Sequence, residues 1–286
     1  MATTGVHSQP SSPHRSSRSF GGFVRQTLKL TRTEFVLFYR YRVALFAAVI
    51  PGVFVLPAFL GDEGEILPGV GGIAYTLAGM FALAGMTVGI IHLANVYTAR
   101  REQMVLKRFR LGGTPPRTLF AASTLSVLGI AVLQAIAIIL VIGLRLDTWP
   151  QDPVMLAFSI VLVTVAMSLF GIAITPMARD AENAQMMSMG PFILFTASSG
   201  FFIPLSIMPE WLSNIVAYGP MVPAVDMARS AYFGYDFFAG SDQGAQVATV
   251  PELWVAAIPS ILILLAWAVL AAFLLRRFRW DPRDGK

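Results

Sequence analysis

The stretch "ARREQMVLKRFRLGGTPPRTLFAASTLSVLGIAVLQAIAIILVIGL", Ala99 to Leu144, changes character at its middle. Arg100, Arg101, Lys107, Arg108, Arg110 and Arg117 crowd its first part, whereas residues 118–144 carry no charge. An uncharged apolar run of this length exceeds the roughly 18 residues that mark a membrane-spanning helix. The basic part is therefore a loop held beside a membrane. What has to be decided is which side it lies on and what it does there.

Working outward, the same apolar density recurs. Hydrophobic residues make up 56% of the chain and charged ones 13%, about half the charge of a soluble domain, and the mean hydropathy is +0.67. The expected fold is all-α, a polytopic membrane protein with six transmembrane helices at 43–60, 72–97, 119–144, 153–176, 184–205 and 253–275. Residues 1–19, rich in Ser and Pro, read as a disordered cytoplasmic tail and not as a signal peptide. Residues 20–280 then form one transmembrane domain, and 281–286 a second short cytoplasmic tail.

Charge orients the spans. Nineteen of the 21 Lys and Arg fall on the side of the opening loop and both termini, which leaves Arg145 and Arg229 on the other. Ten of the 16 acidic residues lean the opposite way, into 61–71, 145–152 and 206–252. By the positive-inside rule the loop and both termini are cytoplasmic, and the expected location is the plasma membrane, the inner membrane in a bacterium. The pI near 9.8 thus reflects topology, and no nucleic-acid partner is expected.

Two amphipathic segments lie on that side. In Phe20–Tyr39, Phe23, Leu30, Phe35 and Phe38 share a broad face while Arg25, Lys29 and Arg32 lie on another. This suits a helix at the interface, its cations near anionic headgroups. In the opening loop, Val105, Leu106 and Phe109 fall within an arc of about 100°, away from Lys107 and Arg108. Gly112-Gly113 and Pro115-Pro116 end the pattern. The spacing predicts one short helix over Arg100–Leu111, tied at both ends to spans and offering an apolar edge for docking.

On the other side, 206–252 is too apolar for free solvent. Two half-helices are expected at Pro209–Tyr218 and Pro223–Phe233, each introduced by proline. Trp211, Tyr218, Tyr232 and Tyr235 suit a membrane interface. Such backbone survives at membrane depth only where protein or a water-filled cavity satisfies it.

Chemistry is sparse. With no cysteine, disulfides and thiolate sites are excluded. His7, His14 and His92 are scattered, so no metal site is expected, and no phosphate-binding G-x-x-x-x-G-K-[ST] loop occurs. A serine protease built on Ser198-Ser199 lacks a base, because His92 sits near the opposite membrane face. His92 and Asn95, polar residues near the cytoplasmic end of span two, are candidates for a functional role, with simple solvation at the interface the plainer expectation; Gln134, deep in span three, is expected to hydrogen-bond across helices. Gly85 and Gly89 form a G-x-x-x-G pair that permits close packing or a dimer face.

The chain resembles the type-2 ATP-binding-cassette exporter permeases. That family carries an acidic residue followed by a Gly-Thr-Leu-Lys-Arg-Leu-Arg-like run in its first cytosolic loop. Here Glu102-Gln103-Met104-Val105-Leu106-Lys107-Arg108-Phe109-Arg110 takes the place, with Met104-Val105 where Gly-Thr is usual. "SGFFIPLSIMPEWL", Ser199–Leu212, is similar to the family's run after span five. The resemblance implies a coupling helix (Arg101, Glu102, Val105, Leu106, Lys107, Arg108, Phe109) seated on one of two cytosolic ATPase subunits. It also implies an interface helix at Phe20–Tyr39, an outer gate (Phe201, Phe202, Pro204, Pro209, Trp211, Pro220, Pro223) and a second permease copy or paralogue. ATP and magnesium belong to the partner, and this chain holds no cofactor.

The function implied is a non-enzymatic permease subunit of an exporter for an amphipathic small molecule such as a drug, antibiotic or lipid. Export of lipid-linked glycan is the alternative within the class. A stand-alone secondary transporter is the rival mechanism, but it needs coupling charges mid-span, and the six runs carry no Asp, Glu, Lys or Arg at their centres.

Overall fold

The computed structural model describes residues 20–40, 64–201, 205, 208–238, 245–278 and 280. The expected first span at 43–60, both tails, and Phe202 and Pro204 lie outside the described residues. In chain order the helices are α1 (Phe20–Arg40), α2 (Gly72–Thr87), α3 (Leu93–Glu102), α4 (Val105–Leu111), α5 (Pro116–Leu146) and α6 (Pro153–Ile174). They continue with α7 (Ala181–Ala197), α8 (Glu210–Val216), α9 (Met221–Phe233), α10 (Val250–Ala256) and α11 (Ile258–Leu274).

The fold is mostly helical rather than wholly so. A short antiparallel ribbon, β1 (Glu65–Leu67) with β2 (Val70–Gly71), precedes α2. Pro68-Gly69 makes its turn, with Gly69 at φ +75°, a pairing suited to a tight turn that needs one left-handed residue.

Among the described residues, four stretches are long and apolar enough to cross a membrane: Gly72–Glu102, Pro116–Leu146, Pro153–Met177 and Ile258–Arg277. In the first, a π-turn at Val88–His92 joins α2 to α3. These helices mostly overrun the apolar runs because Arg and Glu are good helix formers and simply extend them. Two expected spans are corrected. The one at 184–205 begins at Ala181, where Asp180 accepts from the Asn183 N–H at 2.7 Å, and stops after 17 residues, about 25 Å and short of a ~30 Å core. The one at 253–275 is divided. A Thr249/Glu252 capping box opens α10, and α11 restarts at Ile258 with Pro259 in its first turn.

The α2–α3 rod is the axis of the fold. Its most apolar window lies wholly inside, against 17% for that of Ile258–Arg277. α2 packs on α5, α6 and α9; α6 packs on α9 and α11; α3 packs on α7, and α1 on α5. Glycine sets the closest approach. A Cβ on Gly85 would run into Thr164, one on Gly89 would stand 2.9 Å from the Ser168 nitrogen, and one on Gly171 would strike the Gly89 carbonyl. The Gly85/Gly89 pair therefore seats α6 within the chain, and that face is not free for a dimer.

Candidate coupling site and outer gate

At the end of the bundle that carries the basic loop, the helix expected over Arg100–Leu111 is two helices. α3 ends at Glu102, and Met104 takes a left-handed conformation, φ +56°, before α4 begins. The Met104 N–H donates back to the Arg101 carbonyl at 3.1 Å, and its own carbonyl receives the Arg108 N–H at 3.1 Å. The chain thus turns a corner on one residue. α4 closes as its sequence predicts: Gly113 adopts φ +70°, its N–H donates to the Arg110 carbonyl, and the Thr114 N–H donates to that of Phe109, both at 3.0 Å. This is a Schellman stop.

The apolar edge of α4 points inward. Leu106 is fully buried against Val88, Leu93, Tyr97, Leu119 and Phe120, and Phe109 leans on the same cluster beside Phe278 and Trp280. Val105 is half-buried. Lys107, Arg108, Arg110 and Leu111 face out, Leu111 at 80% exposure. The edge expected to dock is thus the root of the hook, and its charged back is the exposed surface.

Polar side chains fix this hook from three sides. Arg101, buried, donates to the Thr175 and Ala178 carbonyls at 2.9 and 2.6 Å, just past α6. The Glu102 carboxylate accepts from the Ala181 N–H at 3.3 Å, at the start of α7, and Asn95 donates to the Ala181 carbonyl at 3.2 Å. Arg100 forks onto Glu34 of α1, both bonds 2.6 Å. Sequence reasoning missed this pair, since nothing relates residues 66 positions apart. It also misplaced His92 and Asn95, which are 8% and 5% exposed and enclosed by packing, not solvated. Gln134 is half-buried on α5.

At the opposite end the two half-helices differ. α8 has no buried residue, and Trp211 and Ile215 stand 66% and 63% exposed. α9 is enclosed by α2, α6 and α11, with Pro223 among its buried residues and Pro220 as its N-cap. Pro209 caps α8. Ser159 donates to the Ala224 carbonyl, and the Tyr232 hydroxyl to that of Thr148, each at 3.0 Å. Asp152 caps α6 and accepts from Trp254 Nε1 at 2.8 Å, while Trp267 Nε1 donates to the Tyr218 carbonyl at 2.9 Å. Phe201 is buried over Gly79. Backbone and hydroxyl of Thr249 donate to Glu252 and hold its carboxyl below the usual range. The sequence had counted Arg229 as an outside charge, yet it is buried on α9.

Residues 68–276 match the sequence profile of the ABC-2 family transporter proteins. The chain belongs to the ABC-2 family. The match takes in α2 to α11 and so both ends just described, and leaves α1 outside. Over 152 residues, 51% of the chain, this ABC-2 permease is 27% identical to the probable multidrug ABC transporter permease YbhR of Escherichia coli strain K12, and equally to that of strain O157:H7. The matched stretch covers 40% of the length of these relatives. Family and apolar helices together make the chain a membrane-embedded permease.

Proposed function

We propose that this ABC-2 permease is the membrane-spanning subunit of an ATP-driven exporter in a bacterial inner membrane. Six spans are reached by adding 43–60 and the segment 184–205 that α7 begins to the four long apolar helices, with α4 and both termini in the cytoplasm. Two cytosolic ATPase subunits bind ATP and magnesium, and a second permease copy or paralogue completes the path. The cargo is an amphipathic small molecule, a class supported by the relatives being probable multidrug permeases.

The observation that carries the reading is the hook. A seven-residue helix, α4, is rooted by Leu106 and braced through Arg100, Arg101 and Glu102 to α1, the end of α6 and the start of α7. Its exposed back carries Lys107, Arg108 and Arg110. A rigid element can pass on a displacement from a closing ATPase; a slack loop would absorb it. Co-reconstitution with a cognate ATPase subunit should give vesicle transport that requires ATP. Transport in liposomes of the chain alone, without ATP, would overturn the reading.

A further inference from the structure

Arg229 lies in the second half of α9, before its last turn, and is 2% exposed. Its guanidinium carbon stands 3.7 Å over the centre of the Tyr75 ring. Nη1 and Nη2 reach the Gly200 carbonyl only at 3.4 and 3.5 Å, and Nε has no acceptor among the described residues. Good N–H···O bonds cluster near 2.9 Å, so both carbonyl contacts are weak. The buried Arg101 offers the contrast, with carbonyls at 2.9 and 2.6 Å. Arg100–Glu34 is the one salt bridge among the described residues, so no described carboxylate pairs with Arg229.

A guanidinium taken out of water is strongly disfavoured unless paired, and a desolvated cation–π contact returns only part of that loss. The charge is therefore held under-compensated. Around it α9 buries Val225, Met227, Ala228 and Ala231 together with the polar Ser230, and Asp226, one turn earlier, is half-buried. Nη2 and the Phe201 ring both abut Gly79, at 3.4 and 2.9 Å from where its Cβ would stand, so the cation and the gate aromatic share one wall. Ionisable groups among membrane helices mark ligand paths. A fork of donors with only weak described acceptors, packed among the Tyr75 and Phe201 rings, complements an amphipathic anion.

The geometry points to an anion-recognition site in which Arg229 receives the phosphate or carboxylate of an amphipathic ligand, releasing the Gly200 carbonyl and the Tyr75 face as it does so. Calling that ligand cargo rests on the exporter reading; the binding does not, because it needs no ATP. The Arg229 fork is the anchor, and the neighbouring rings take the alkyl part.

The test uses the full chain in phosphatidylcholine nanodiscs, with dodecyl phosphate and dodecyltrimethylammonium as probes of equal chain length. Dodecyl phosphate should bind about tenfold tighter or better, as charge-assisted bonds allow. Arg229→Gln should erase the difference, Arg229→Lys should keep part of it, and Lys29→Gln on exposed α1 should leave it unchanged. Equal binding of the two probes, or a preference that survives Arg229→Gln, overturns the site. Should Arg229→Gln fail to fold, hydrogen exchange on the unaltered chain decides. Dodecyl phosphate must slow exchange in 198–201 and 225–233, and a change confined to α1 overturns the site. Competition by inorganic phosphate at equal concentration assigns the site to the bare ion, and its absence assigns the amphiphile. ATP-driven transport without anion preference overturns only the assignment of that ligand as cargo, whereas anion binding by a chain that transports without ATP sinks the exporter reading alone.

Discussion

Met104 shows most clearly how one residue departs from what its position asks. The resemblance places Gly-Thr where this chain has Met104-Val105, and the structure puts Met104 at φ +56°, where a Cβ costs about 1–2 kcal/mol and glycine nothing. Met104→Gly relieves that strain and adds about 0.5–1 kcal/mol of unfolded-state entropy to be lost, so its melting temperature in detergent should equal or exceed the parent's. Met104→Ile places a β-branched side chain in the same well and should melt lower, by about 1–2 kcal/mol. The reverse order would remove strain from the account of this corner. The Arg100–Glu34 fork belongs at the same scale. With side chains 13% and 11% exposed, it escapes most of the screening that weakens surface pairs. A double-mutant cycle on Glu34→Gln and Arg100→Met should give a coupling of about 1–3 kcal/mol; a value near zero would leave α1 held by packing alone.

Among the elements, the α2–α6 contact is the tightest, and its glycines meet backbone. Gly171→Ala pushes a methyl into the Gly89 carbonyl, with Ile90 Cα at 2.9 Å, and neither atom can rotate away. A loss of about 1–3 kcal/mol is expected. Gly129→Ala meets only the Phe35 ring at 3.2 Å, and that ring is 38% exposed and free to shift, so it should melt close to the parent. Equal losses would mean that the contact yields. Much at this scale was readable. Apolar runs located α2–α3, α5, α6 and α11, glycine and proline stopped α4, and helical spacing marked α1. Which face turns inward was not readable, because lipid is as apolar as a protein interior. On α5, Val132, Leu133, Ile136 and Leu140 are 41–57% exposed, yet they are as hydrophobic as the buried Ile138 and Ile142. The same blindness turned α4 around. Val105, Leu106 and Phe109 were seen as an apolar arc, but whether that arc meets a partner or the chain's own Tyr97 and Phe120 depends on residues brought together only by folding. Arg101 and Arg229 were hidden for a related reason, since carbonyls and rings that receive a cation leave no mark in sequence spacing.

For the whole molecule, the hook separates two jobs that a single docking edge would have merged. On the proposed function, residues on the back of α4 decide whether an ATPase binds, and residues at its root decide whether binding moves the helices. Arg108→Glu reverses an exposed charge and touches no core contact, so the folded chain should lose co-purifying ATPase while its melting temperature stays put. Leu106→Ala does the opposite. It opens a cavity worth about 2–5 kcal/mol under α4, beside Val88 at the π-turn and Phe120 of α5, and leaves the charged back in place. That variant should still bring down the ATPase and support ATP hydrolysis in vesicles, yet transport should fall well below the parent's for each ATP consumed. Both signals are read from one preparation, the ATPase retained on the purified permease and the transport-to-hydrolysis ratio. If Leu106→Ala sheds the ATPase, the apolar edge reaches the partner after all; if it transports with parental stoichiometry, force enters the bundle by another route, with the Arg100–Glu34 link to α1 the next to cut.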